Sequence, residues 1–330
     1  MTKRYDLLIG WTWEYDREFV LALERHAQSK RLRSPMISLR SLSAPTLGMI
    51  SGLSTFQVRH DNIDEVLELH RHRKIEFGLY LDRGFDEDPR FERLGRAMLR
   101  RGGAIVNSYD RTVEAIDKAT MHLEFLQAGL HVPFTIIISP YTERREVGLT
   151  PHDLAHLGRP FIIIPANTTG GGIGVVTGAE SLLDVIEARK ELEADKYLLQ
   201  EKIVPRVIAG RRCWFRCFYV YGKVFLAWWD DLTHVYSMVT PNEEHYYKLR
   251  PLRRIMRTIG SVSGLNLFSS EIALRQATPY EPSRFIVVDY VNDMCDMRSE
   301  NEAIDGLPNV LRERIIDRLT LAASKIRIEE

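Results

Sequence analysis

Over roughly the first 105 residues, short apolar runs alternate with amphipathic stretches, and this alternation narrows the fold more than any other feature of the chain. Tyr5–Trp11, Phe77–Leu81 and Ala104–Asn107 read as strands, while Asp16–Ser29, Asn62–Lys74 and Pro89–Arg101 place apolar residues at helical spacing. The third of these helices meets Gly102-Gly103, a stop signal. Strands separated by helices predict a Rossmann-like parallel α/β sheet. Beyond Asn107 the character changes. Helices are expected over Thr112–Ala128, Ser181–Ala194, Arg253–Gly264 and Pro308–Ile326, with a short one capped by Thr150 and Asp153. Strands are expected at Phe134–Ser139, Phe161–Ile164, Tyr197–Gln200, Phe268–Leu274 and Arg284–Val291. Cys213–Val220 and Lys223–Trp229, joined by Tyr221-Gly222, carry a hairpin signal. The fold class is therefore α/β, becoming α+β in the C-terminal part, with segments expected at 1–106, 107–200 and 201–330.

Composition excludes several classes of function. The 330 residues hold 45 Lys+Arg against 45 Asp+Glu, so the chain is neither a basic nucleic-acid coat nor an acidic solvating tail. A hydrophobic share of 45% is enough for a sizeable core. Three cysteines cannot build a disulfide framework or a four-thiolate zinc site, and they point to reduced thiols in a cytoplasmic protein. No run of eighteen apolar residues exists to span a membrane. Neither a nucleic acid nor a membrane is expected as a partner. Exposed strand edges leave room for a homodimer.

Four features could carry chemistry. The strand at Phe161–Ile164 runs into Asn167-Thr168-Thr169-Gly170-Gly171-Gly172-Ile173-Gly174, where glycines let backbone N–H groups approach phosphate oxygens and the threonines add hydroxyls. The stretch has no lysine and no GxGxxG spacing, and a hairpin tip is the plainer reading. Late in the chain Glu271 precedes Asp289, Asn292, Asp293 and Asp296, oxygen ligands suited to a hard divalent cation or, equally, to turn chemistry. Positions i and i+3 face opposite sides of a regular strand, so Asp289 and Asn292 share a metal only if the strand ends or bulges between them. His152 and His156 share a helix face but lack the glutamate of a zinc protease. The basic stretches around Leu69–Lys74 and Arg250–Arg257 read first as solvated faces, the second also as a landing place for an anionic substrate. No GxSxG elbow is present, and Cys213 and Cys217 read as packing residues.

Taken in order, these pieces resemble the ATP-grasp superfamily, in the layout of the RimK-like and D-alanine-ligase-like carboxylate–amine ligases. The likeness runs over about residues 104–296. It rests on Asp117-Lys118 followed by Ala128-Gly129 and Pro133-Phe134-Thr135, and on the strand and glycine-rich segment from Leu157 to Val175. Leu198–Ile203 is similar to an adenine-holding hinge. Arg216 stands ahead of the Tyr221-Gly222 turn, and Glu271, Asp289 and Asn292 come last. The chain departs from the pattern in three places. Ile164 stands where the family carries a lysine, no acid lies between Lys202 and Phe215, and two residues rather than one separate Asp289 from Asn292.

The resemblance implies a pre-ATP-grasp domain followed by a two-lobed ATP-grasp fold that binds ATP and Mg²⁺. It implies that Lys118, Thr168, Thr169, Gly170, Gly171 and Gly172 contact phosphates. The hinge residues Gln200, Glu201, Lys202 and Ile203 would hold adenine. Glu271, Asp289 and Asn292 would bind metal, and Arg216 would stabilise the transferring phosphoryl group. The implied reaction activates a small-molecule or peptide carboxylate as an acyl phosphate and hands it to an amine or thiol. A nucleotide binder without turnover and a small-molecule kinase are the rival readings.

Overall fold

The computed structural model describes residues 2–30, 32–35, 47–50, 52–167, 172–279 and 281–326. Thr168, Thr169, Gly170 and Gly171 therefore lie outside the described residues. The chain divides into two compact units, Met1–Asn107 with Asp296–Glu330, and Ser108–Cys295.

The first unit is the parallel layer that the alternating pattern demands. Its sheet runs in the order Thr55–Val58, Lys3–Trp11, Ile75–Arg83, Ala104–Val106, all parallel. The central strands are apolar on both faces, with Leu7, Leu8, Ile9, Leu79, Tyr80 and Leu81 buried, as a sheet sandwiched by helices requires. The helices are Arg17–Ser29, Ile63–Arg71 and Pro89–Leu99. The last opens with Pro89 in its first turn and the Asp88 carboxylate accepting the Arg90 amide at 2.9 Å. The closing helix Asn309–Lys325 packs against Arg17–Ser29. The end of the chain thus returns to the opening layer instead of completing the segment expected at 201–330. No helix among the described residues is long and apolar enough to cross a membrane.

Besides the short ribbon of Val207–Ile208 with Arg211–Arg212, the described residues of the second unit form two larger antiparallel sheets. One has the order Thr135–Ile138, Tyr197–Glu201, Phe161–Pro165, Val176–Ala179. The other runs Tyr236–Met238, Lys223–Trp229, Trp214–Val220, Leu267–Leu274, Phe285–Asn292. Its hairpin turns at Tyr221-Gly222, where both residues take positive φ (44° and 78°), the twist a two-residue turn between right-twisted strands requires. The amphipathic helix Arg250–Ser263 lies on one face, sending Leu252, Met256 and Ile259 into a core with Phe215, Cys217, Phe268 and Ile272. Each large side chain so buried contributes roughly 1.5–3 kcal/mol.

One expected helix is two. Thr112–Ala128 is divided into Tyr109–Ile116 and Lys118–Gln127, because Asp117 is extended and its carboxylate accepts the amides of Ala119 and Thr120 (2.9 and 3.0 Å), capping a new helix. The divide delivers Lys118 at the first turn of that helix. Replacing Gly222 by alanine is expected to cost about 1 kcal/mol through the positive φ. A urea titration should show the loss in the midpoint with an unchanged slope.

Candidate functional site

Alternation along Trp214–Val220 separates two environments. Phe215 and Cys217 enter the helix-covered core, whereas Trp214 and Arg216 face the other side of the sheet. The neighbouring strand does the same, with Phe268, Ile272 and Leu274 in the core and Ser269 and Glu271 opposite. Arg216 and Glu271 are register partners, so their side chains meet across the strands. Arg216 Nη1 lies 3.2 Å from Glu271 Oε1 and its Nε donates to Ser269 Oγ at 3.3 Å. The Trp214 indole N–H donates to the second Glu271 oxygen at 3.1 Å.

The third strand completes the group through an irregularity. Ser269 pairs with Asn292 and Glu271 with Asp289, so Phe285–Asn292 advances three residues where Leu267–Leu274 advances two. This register shift reverses the parity that sets Asp289 and Asn292 on opposite faces of a regular strand, and both become register partners of residues on the Glu271 side. Lys118 Nζ lies 3.8 Å from Asp289 Oδ1. Lys118, Arg216, Glu271 and Asp289 are thus brought together, and Asn292 joins their sheet as the register partner of Ser269. Among the described residues no group of three or more His, Cys, Asp or Glu side chains is placed to hold a metal ion by itself. The donor set is two carboxylates and an amide oxygen. It suits a magnesium ion, which takes few protein ligands and fills its octahedron with phosphate and water oxygens.

The electrostatics are those of a crowded acidic pair beside one guanidinium. Burial, seconded by the Asp289 charge, pushes the Glu271 carboxyl up to about 7, against the pull of Arg216 and the Trp214 bond. Burial works against the Arg216 charge, but Tyr236, Glu271 and Asp289 outweigh it and hold the guanidinium above its ordinary value.

The expected hinge lies alongside. Gln200 is buried, its Nε2 donating to the Tyr290 hydroxyl (2.8 Å) and to Thr135 Oγ1 (3.1 Å). His122 Nδ1 lies 2.6 Å from the same hydroxyl, and burial lowers this imidazole to about 4, so it stays neutral. Glu201 accepts the Phe134 amide at 2.8 Å and lies 3.6 Å from Arg275. Ile203 is packed with Ala273 and Ile286 against Trp214. Lys202 is exposed. The side chains of Gln200, Glu201 and Ile203 are thus engaged in structure.

Where the glycine-rich segment begins, Ala166 O accepts the Lys118 amide at 2.9 Å and Asn167 is clamped to Asp195 through two bonds (2.9 and 2.6 Å). At its other end Gly172 and Gly174 have positive φ. A Cβ on Gly174 would meet Pro165 Cγ at 2.8 Å, so a side chain is excluded there. Burial pushes the Cys213 thiol up to about 11, and Cys217 is raised for the same reason, which removes both as nucleophiles. In the basic stretch, Arg253 forks onto Glu244 (2.7 and 2.8 Å) and donates to Val224 O. A cleft of about 470 Å³ lined in part by His131, Arg254, Ile255 and Arg284 shares no residue with the Arg216–Glu271 group.

Neither a scan against protein-family models nor a search of curated proteins finds a match. Solved structures do match over nearly the whole chain. D-alanine–D-alanine ligase from Bacillus anthracis complexed with ATP aligns with a TM-score of 0.57 at 10% identity, over 98% of each chain. The ATP-grasp ligase PsnB complexed with minimal precursor, Mg and ADP gives 0.54 at 12% identity, over 97% of this chain and 98% of that one. A RimK domain ATP-grasp protein from Sphaerobacter thermophilus gives 0.53 at 17% identity, over 94% and 98%. At such identities the likeness is one of fold, and the fold of this chain is that of the ATP-grasp ligases.

Sequence reasoning passed over the bond from Trp214 to Glu271, Ser269, and the link from His122 through Tyr290 to Gln200. The signal for the first was present, since Trp214 stands two residues before Arg216 on a strand and so shares its face. The titration of Glu271 has a readable consequence. Its folded value lies above the ordinary 4.5, so the folded state binds the extra proton, and its contribution to the metal-free chain is full below pH 4.5 and is lost as pH rises through about 7. Glu271→Gln should flatten that segment of the stability–pH curve, measured by urea unfolding between pH 5 and pH 8.

Proposed function

We propose that this chain is an ATP-dependent ligase that joins a carboxylate to an amine (or thiol) through an acyl phosphate. The observation that carries the reading is the meeting of Lys118, Arg216, Glu271 and Asp289 on one face of the ATP-grasp fold. Two cations opposite two carboxylates form a set that can hold a polyphosphate and its counter-ion together. Glu271, Asp289 and Asn292 would hold Mg²⁺, which when bound neutralises charge on the phosphate oxygens. Lys118, delivered by the Asp117 cap, would contact a phosphate. Arg216 is aimed by Ser269 and Glu271 to oppose the negative charge that spreads over a transferring phosphoryl group. The Glu201–Ile203 backbone would take adenine, and the glycine-rich segment, with Thr168–Gly172, would donate to phosphates.

The bond changes are simple. A substrate carboxylate oxygen attacks the γ-phosphorus and ADP leaves; the amine then attacks the acyl carbon, and phosphate departs as a proton is lost from nitrogen. Such catalysis is chiefly positioning and charge stabilisation, consistent with a site built without a nucleophilic thiol. PsnB is complexed with a precursor, and a D-alanine ligase acts on small molecules, so both peptide and small-molecule acids fall within the reading. The three cysteines are buried free thiols, in keeping with a cytoplasmic setting.

Ile164, on the strand leading to the glycine-rich segment, favours one rival, a nucleotide binder without turnover. Release of ADP and inorganic phosphate dependent on both an acid and an amine is the expected result for the ligase. A phosphorylated product without free phosphate would identify a kinase, and binding without product a non-catalytic protein. Asp289→Ala should abolish the rise in melting temperature on adding Mg·ATP. An equal rise in variant and parent would remove Asp289 from the metal site.

A further inference from the structure

On the strand that leads into the glycine-rich segment, Ile164 offers an apolar side chain, and the register of the sheet shows which neighbour can answer for a cation there. Ile164 pairs with Leu198, Pro165 with Tyr197, and the Ala166 amide donates to Lys196 O at 2.8 Å. Lys196 is therefore the diagonal neighbour of Ile164 on the adjoining strand. Such neighbours stand about 7 Å apart, within reach of a lysine side chain. Direction agrees with position. Tyr197 and Leu199 point into a core with Phe161 and Ile163, so Leu198 and Gln200 take the opposite face, and Lys196 continues that alternation. Gln200 on this face bonds Tyr290, next to Asp289.

The tip of Lys196 is placed by a second observation. Its ammonium is ion-paired with Asp117 Oδ2, while Asp117 Oδ1 caps the helix that begins at Lys118. Lys118 in turn donates its amide to Ala166 O and sends its ammonium toward Asp289. Two lysines are thus organised by the start of one helix, Lys196 through the Asp117 carboxylate and Lys118 through the helix that this carboxylate caps. The Asn167–Asp195 clamp fixes the adjoining chain ends, so Lys196 is held where Phe161–Pro165 runs out. Lys196 is 38% exposed and carries three donors, of which the Asp117 pair uses one. Lys190, by contrast, pairs with its near neighbour Glu187 on an exposed surface.

We propose that Lys196 is the second phosphate-contacting cation of this site, acting from the neighbouring strand in place of a lysine at position 164. The assignment rests on the nucleotide reading above and deepens it, since it makes the phosphate clamp a pair, Lys118 and Lys196, both organised by Asp117. Lys196 would share its donors between Asp117 and a phosphate oxygen, the charge-assisted bonding a flexible ammonium permits.

The test is titration of the full chain with a fluorescent ATP analogue in millimolar Mg²⁺, with adenosine measured in competition. Lys196→Gln keeps a donor for Asp117 but removes the charge. It is expected to weaken ATP binding about tenfold or more, with adenosine binding unchanged, and Lys196→Arg should restore most of the affinity. Lys190→Ala serves as the control and should bind as the parent does. ATP affinity in Lys196→Gln equal to that of the parent would overturn the assignment. So would an equal loss for ATP and adenosine, the mark of a merely structural lysine. A parent chain that binds no ATP at all would overturn both this assignment and the functional reading beneath it.

Discussion

Arg216 and Glu271 are register partners on adjacent central strands, largely withdrawn from water, and the chemistry of the face they share follows from that pairing. Removing an ion pair from solvent is costly unless each partner finds further bonds. Here Trp214 satisfies the second Glu271 oxygen and Ser269 the Arg216 Nε. Asp289 then brings a second carboxylate to the same place, with the Lys118 ammonium 3.8 Å from it. Burial, seconded by the Asp289 charge, makes Glu271 hold its proton to about neutral pH.

The backbone is arranged to make that crowding happen. A strand without the register shift between Asp289 and Asn292 would direct one of them into the helix-covered core, where an unpaired polar group is expensive. The capping role of Asp117 is comparable. By ending one helix and starting another it aims Lys118 at Asp289 and gives Lys196 a fixed anchor. Behind these groups the chain from His122 through Tyr290 to Gln200 and Thr135 ties the helix, the Asp289 strand and the hinge strand together by buried hydrogen bonds. Such a network is rigid when every member is satisfied, which is what a site working by positioning needs.

Much of this was legible in the residues. The alternation of strand and helix in the opening third, the Tyr221-Gly222 turn and the Thr150–Asp153 cap each follow from local chemistry that neighbours in sequence supply. The acids and the arginine were visible as a set because their order along the chain resembles that of a known superfamily. Less was legible where distant segments set the outcome. The periodic apolar run Thr112–Ala128 conceals the Asp117 cap, since a cap depends on a backbone turn that periodicity does not encode. Gln200 has the position of a ligand contact but turns inward to a tyrosine ninety residues away. The closing helix reads as part of its nearest neighbours in sequence and packs with the opening layer instead.

The sequence by itself determined most element types, the antiparallel hairpin and the residue types that carry charge, because each depends on side-chain chemistry and spacing of a few residues. Only the tertiary structure decided which charges meet. Whether Asp289 and Asn292 share a face depends on one extra residue in a strand pairing, and whether Lys196 stands beside Ile164 depends on the register of two strands thirty residues apart. Register is a property of the paired strands and of neither strand alone, so it is written in the packing that closes the sheet and not in either run of residues.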